Sequence, residues 1–308
     1  MIRIAERDRG RKVVEIVKLF LRSAIFYRKL FSNYQRGKLR FDDVQELVDD
    51  KGQSMLFNLK KNCHDLYRGN DNSTEQERLF DLAIGSIFHE AMIIRENCYQ
   101  LEVYMPKVSL LREKASKTSH EKKFLREENL ILGRAKKRLS EELKETNTLV
   151  ANTLEQLKDL LINYNENGLL IRFLLEEEKL VEDAYGKGSL DDIFSSMYKG
   201  GRLEGLLVAA KSYYKSGYHD KAKETISKAL TISPDDNIRF LHLFYSGMKD
   251  YYEGDFPGAL ENFKQARELV EGLPEDRDSL EKIESVTSRI LELQHEGNQN
   301  SLGQECAM

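Results

Sequence analysis

Apolar side chains recur along this chain at spacings of three and four, the period of a helix with one buried face, and few stretches alternate in the manner of a strand. A first helix is predicted from about Arg11 to Tyr34, its apolar run interrupted at helical intervals by Glu15, Lys18, Arg22 and Lys29. Asp42 or Asp43 offers an N-cap for a second helix ending near Asp50, and a third helix is expected from Ser54 to about Tyr67. The loop Arg68–Glu77 carries Gly69 and turn formers, then Ser73 or Thr74 as a cap, with Glu75 and Glu77 in the first turn of a fourth helix. That helix places Leu79, Leu82, Ile84, Ile87, Phe88, Met92 and Ile93 on a broad apolar face and reaches about Tyr104. Pro106, which has no N–H to give, is expected to end or kink it. Residues 1–105 therefore read as an N-terminal helical bundle.

From Val108 to Tyr164 the pattern becomes long, charged and heptad-like. Leu125, Leu132 and Leu139 recur at seven, and Leu143, Val150 and Leu157 continue at seven from a shifted position, with Leu154 and Leu161 beside them. The polar stretch Leu111–Lys123 predicts a bend between two antiparallel helices. Residues 106–166 are accordingly expected to form a long helical hairpin. Self-association as an intermolecular coiled coil is the alternative, with Asn129, Lys136, Thr146 and Asn147 interrupting its seam. Asn163–Gly168 reads as a turn into the C-terminal half.

That half, residues 167–300, contains GYHDKAKETISKA followed by GDFPGALENFKQA, so that Gly217, Ala222 and Ala229 fall on the same template as Gly254, Ala259 and Ala266. Tyr213 and Tyr214 end a helix, Gly217 permits a tight turn, the alanines allow close helix crossing, Ile226 fills the core and Pro234 stops the second helix. The second copy adds Gly247, Tyr251, Tyr252 and Phe263. Over about residues 203–270 this pattern resembles the tetratricopeptide repeat (TPR) family, in which each unit is a pair of antiparallel helices. Two departures stand out. Asp250 occupies a usual aromatic position, and Ala222 to Ala259 spans 37 residues where the family period is about 34. The extra residues are expected around Asp235–Phe240. About three repeats are needed for a stable stack. A capping helix is therefore predicted over Asp278–His295, through Leu280, Ile283, Val286, Ile290 and Leu293. On the other side, Ala184–Tyr198 reads as a plain helical hairpin or a degenerate earlier repeat. Residues 301–308 read as a disordered tail.

The resemblance implies a partner surface on the first helix of each repeat: Glu204, Leu207, Lys211 and Tyr214, then Phe244, Met248, Tyr251 and Tyr252. The carboxylate clamp of some TPR proteins places lysine and asparagine where this chain has Leu207 and Lys211, so it is not carried over. Aromatic and methionine side chains suit a helical or hydrophobic peptide. The competing expectation is that Phe244 and Tyr251 pack against preceding helices and leave no open groove.

Composition narrows the class. The 308 residues are 40% hydrophobic and 32% charged, with four prolines and no tryptophan, which favours long solvated helices and an all-α fold. The net charge of -4 conceals a basic start, with twelve basic against three acidic side chains in residues 1–40, and a comparable acidic excess over 167–308. Cys63, Cys98 and Cys306 form no CxxC pair, which suggests a reducing compartment. No apolar run reaches the roughly 20 residues of a membrane span, and the opening MIRIAERDRGRK has no signal core. A cytoplasmic protein is expected.

No nucleotide-binding, zinc-protease or hydrolase motif is present, and Gly186–Ser189 (GKGS) reads as a turn rather than a phosphate loop. Cys63, His64, His89 and Cys98 follow no known zinc spacing, so neither metal nor cofactor is expected. Val44–Lys61 has the outline of a helix-turn-helix, but Asp42, Asp43, Asp49 and Asp50 would repel phosphate. The wide apolar side of the first helix suits a core, while its basic face would suit an anionic surface. The sequence thus predicts a non-enzymatic protein–protein interaction adaptor or scaffold. The alternative is a regulatory protein contacting nucleic acid or an anionic surface through its basic N-terminal helices.

Overall fold

A computed structural model describes residues 2–48, 54–68, 73–114, 116–165, 167–270 and 280–292, and every regular element among them is helical. By contact the chain divides into two compact units, Met1–Ile193 and Phe194–Met308. The segments read as bundle and hairpin both fall in the first. Cys306, the segment 301–308, and the outer ends of the capping helix at Asp278, Leu293 and His295 lie outside the described residues.

In the first unit, α1 (Ile2–Gln35) begins nine residues earlier than expected and carries a continuous buried stripe from Val13 through Phe20 and Tyr27 to Leu30. Its apolar side is core. Phe20 meets Phe80 edge-on at 5.4 Å, and the Tyr27 hydroxyl donates to the Leu143 carbonyl at 2.8 Å. A buried tyrosine needs that partner, since an unpaired hydroxyl in the interior costs about 1–3 kcal/mol. Gly37, at φ 68°, closes α1, with Gly37 N–H donating to Tyr34 O and Lys38 N–H to Asn33 O.

Helix α2 (Phe41–Leu47) corrects the expected cap: Arg40 precedes it, and Asp43 sits one turn inside, where its carboxylate accepts from the Arg40 N–H at 3.2 Å. Helix α3 (Met55–Cys63) starts on Ser54 as expected, but Cys63 ends it and a π-helical turn, His64–Arg68, completes the segment. Its inner face, Leu56, Leu59 and Cys63, is buried. Helix α4 (Glu75–Glu113) begins on a capping box in which Thr74 and Glu77 bond each other's N–H groups.

Pro106 does not end α4. The helix runs on to Glu113 and is held there by α5 (Ser119–Asn163), which packs along it and buries Val108. The loss of one backbone bond at proline is outweighed by tertiary packing. The tight connection is fastened by the Thr118–Glu121 capping box and by Lys114 Nζ on Glu121 Oε1 at 2.6 Å. The bend thus lies within the predicted stretch, but the hairpin's first arm is the last helix of the bundle. Leu139, Leu143, Val150 and Leu157 of the heptad seam are buried inside this unit. The short helices α6 (Gly168–Glu176) and α7 (Glu178–Tyr185) pack on α1.

Glu90 and Glu142 share a hydrogen bond across the α4–α5 pair. That bond, with partial burial and the Glu90 charge, pushes the Glu142 carboxyl up from 4.5 to about 7. The folded chain therefore holds a proton that the unfolded chain releases, and stability falls as pH rises from about 4.5 to about 7. Solvent screening limits the effect to about 1 kcal/mol or less. Glu142→Gln is expected to shrink the difference in melting temperature between pH 5 and pH 8, and an unchanged difference would show that the two carboxyls do not couple.

Helix α8 (Ser189–Met197) follows a turn that contains Gly186 at φ 117° and Gly188 at φ 82°, in agreement with the reading of GKGS. The second unit is then built from α9 (Gly201–Lys215), α10 (His219–Ile232), α11 (Asp236–Glu253) and α12 (Phe256–Val270). Residues 280–292 are also helical and bury Ile283 and Ile290.

Candidate functional site

The second unit repeats its backbone bonding at the 37-residue interval. Tyr218 N–H donates to Tyr213 O at 3.0 Å, and Asp255 N–H to Asp250 O at 2.9 Å. Gly217 N–H reaches Tyr214 O at 3.0 Å, and Gly254 N–H reaches Tyr251 O at 3.2 Å. Both glycines lie in the left-handed region, at φ 81° and 84°, where a side chain is strained. Each turn therefore reverses the chain in the same way. Ala222, Ala229, Ala259 and Ala266 are fully buried, as close helix crossing requires. Pro234 follows α10, whose cap is Ser233. The longer interval is absorbed in α11, which has 18 residues against 15 in α9, beginning on an Asp235 cap whose carboxylate accepts from Ile238 N–H at 3.0 Å.

Gly247 and Phe263 form a tight contact between helices: a Cβ at Gly247 would lie 2.6 Å from the ring. Gly205 stands in the same relation to Phe194, also at 2.6 Å. At the positions equivalent to Gly247 and Phe263 the first pair has Ala210 and Ile226, both buried. A larger side chain on one helix is matched by a smaller one on the other. Asp250, out of pattern as an aromatic position, accepts instead from Asn262 Nδ2 at 2.7 Å.

The eight residues expected to meet a partner divide by burial. Phe244 and Met248 are only 3% and 1% exposed, so they are core and not contact residues. The first lies between the rings of Tyr214, at 5.4 Å, and Phe240, at 6.3 Å. Glu204 is exposed, but its carboxylate accepts from Gly200 N–H at 3.1 Å and so serves the start of its own helix. Leu207 is half-buried, and Lys211 is exposed with no ion pair among the described residues. Tyr251 is half-buried and borders Phe256 at 6.1 Å, whereas Tyr252 is 62% exposed.

The structure adds residues that periodicity did not single out. The Tyr252 ring lies flat on His219, with centroids 4.2 Å apart and planes within 11°. His219 in turn meets Tyr214 edge-on at 5.6 Å, and Tyr214 contacts Tyr245 at 5.2 Å. Lys282, from the helical segment 280–292, holds its ammonium 4.9 Å above the Tyr214 ring. Tyr218 is a further exposed aromatic beside them in sequence. Burial holds the His219 imidazole below its usual range, and Lys282 acts in the same direction against the opposing charge of Asp220. The ring therefore stacks in its neutral form near pH 7. Tyr214 Oη and His219 Nδ1 are buried atoms with no hydrogen-bond partner among the described residues. Such atoms are seldom left unsatisfied.

Elsewhere, Cys63 and Cys98 are buried free thiols; burial pushes both up, Cys98 to about 12, and so away from thiolate chemistry. No group of three metal-ligating side chains converges among the described residues. No helix among them is long and apolar enough to cross a membrane.

No protein-family model, curated protein or solved structure matches the chain.

Proposed function

We propose that the chain is a non-enzymatic adaptor that binds a partner protein through a TPR-like surface of its second unit. The observation that carries this reading is the exposed Tyr252 ring stacked on His219, beside Tyr251, at the end of a helix whose closing turn repeats backbone bonds of its neighbour's. Exposed aromatic rings on a rigid helical support bury large area with little loss of side-chain freedom, the property of binding hot spots. The exposed, unpaired Lys211 favours a peptide with an apolar side chain flanked by acidic groups. A reducing, cytoplasmic setting belongs to the same reading, supported by two buried free thiols.

The second reading, a basic N-terminal helix on nucleic acid or an anionic surface, has weaker support. Arg9 pairs with Glu77, Lys18 approaches Glu177 at 3.6 Å, and the Arg28 guanidinium donates to the Ala184 carbonyl. Those charges are engaged within the fold.

A photo-crosslinking residue at Tyr252 should give adducts with a discrete protein, mapped by mass spectrometry. Tyr252→Ala combined with Tyr251→Ala is then expected to weaken binding of that protein about thirtyfold, the loss of roughly 2 kcal/mol that an aromatic anchor contributes. A folded double variant that retains full affinity would remove this face from the function.

A further inference from the structure

The first unit holds a cavity of about 840 Å³ that the adaptor reading does not use. It opens where α1 stops. Tyr34 and Gln35 end that helix, Gly37 turns the chain away, and the space beyond lies among the start of α2, the second half of α4 and the middle of α5. Its walls are mainly apolar: Leu39, Phe41, Leu101, Met105, Pro106 and Leu139. Small-molecule sites commonly occupy about 300–1,000 Å³ with such walls and a few polar groups. Phe41 is held in place by Tyr99, with ring centroids at 5.5 Å, and by the Arg95 guanidinium on its face. The one acidic side chain in the wall, Glu102, is engaged, since its Oε1 accepts from the Phe41 N–H at 2.6 Å.

Tyr34 and Lys136 also line a second, shallower depression of about 460 Å³, whose charged side chains are mostly basic. There Lys137 and Lys144 join Lys136, and the only carboxylate is Glu141, 3.7 Å from Lys137. The side-chain ammonium groups of Lys136 and Lys144 make no hydrogen bond or ion pair among the described residues. Lys136, which interrupts the α5 heptad, thus stands at the junction of an apolar cavity and a cationic rim.

We propose that these joined depressions bind a single-chain anionic amphiphile, with its hydrocarbon chain in the cavity and a phosphate head on Lys136 and Lys144. The apolar volume fits the chain, and two unpaired ammonium groups fit a dianionic head better than a neutral one. The occupant is a soluble monomeric lipid rather than a bilayer, because the apolar lining is confined to one cavity among α1, α2, α4 and α5.

The chain has no tryptophan, so Ser109→Trp, at an exposed position in the cavity wall, supplies a single local reporter. Dodecyl phosphate, kept below its micelle concentration, is expected to shift the indole emission saturably; inorganic phosphate should produce no shift, and dodecyl maltoside a shift at least about tenfold weaker in affinity. Calorimetric titration of the unsubstituted chain with dodecyl phosphate should give the same affinity, which guards against the indole itself blocking the site. Lys136→Glu combined with Lys144→Glu, and separately Met105→Glu, should each weaken binding by about tenfold or more while the circular dichroism spectrum is retained. Binding of dodecyl phosphate that is absent, unchanged in the lysine double variant, equalled by dodecyl maltoside, or replaced by binding only to vesicles of two-chain anionic phospholipid would overturn the proposal.

Discussion

Glu77→Ala is expected to destabilise the first unit by about 2–4 kcal/mol, the range for removing one partner of a buried, multiply bonded charge. Glu77 is 2% exposed and joins three parts of the chain. It accepts from the Thr74 N–H at 2.8 Å at the start of α4, from Arg9 Nη2 at 2.7 Å on α1, and from the hydroxyl of Tyr164, the residue that caps α5. Burial alone would push this carboxyl up; the bonds from Tyr164, Thr74 and Arg9 outweigh it and hold the group below the usual range. A depressed carboxyl contributes stability that is present above its unfolded value and is lost as pH falls. Glu77→Gln should therefore remove part of the acid sensitivity of the native chain, and Tyr164→Phe should cost less than Glu77→Ala because two of the three bonds survive. Denaturant titration at pH 7 and pH 4 checks both. An alanine variant within about 0.5 kcal/mol of the native chain, as an ordinary surface site would be, would mean that Glu77 does not tie these helices together.

The capping box at Thr74 and Glu77 was legible because cap chemistry is local: a hydroxyl and a carboxylate three residues apart can satisfy each other's N–H groups in any fold. The same holds for Ser54, for the turns at Gly217 and Gly254, and for the buried alanines. Local signals failed where packing decided. Pro106 reads as a helix end or a kink, and it is no end, since α5 alongside keeps α4 helical past it. Asp42 and Asp43 both look like caps, and only the observed start at Phe41 assigns Asp43 to the first turn.

The partner surface shows the limit most clearly. Phe244, Met248 and Tyr252 share one helix face by their spacing of four, but exposure rises from 3% and 1% to 62% along it. Periodicity identifies a face, and only the neighbours decide where along its length that face is covered. His219 and Lys282 reach the same spot from other elements, so no window of sequence contains the site. The cavity in the first unit is still less legible, since it depends on α1 stopping while α4 and α5 continue.

The other large effect is expected at the Gly247–Phe263 contact. Phe263 is 1% exposed, and Phe263→Ala should cost about 3–5 kcal/mol through lost burial and the cavity left behind. Gly247 lies inside α11, where helix propensity alone favours alanine over glycine by about 1 kcal/mol. Here the sign should reverse. A Cβ at 2.6 Å from the Phe263 ring must displace a buried aromatic side chain, and overpacking of this kind typically costs about 1–3 kcal/mol. Gly247→Ala should therefore destabilise the native chain by about 0.5–2 kcal/mol after the propensity gain is subtracted. In the Phe263→Ala background the ring is gone, the added methyl fills part of the cavity, and the same Gly247→Ala change should stabilise, by up to about 1 kcal/mol. Guanidinium unfolding of the four proteins gives the coupling directly, and hydrogen exchange in α11 and α12 assigns it to the second unit. Costs that simply add would show that the two positions do not touch, and the close crossing of the second helix pair would have to be abandoned.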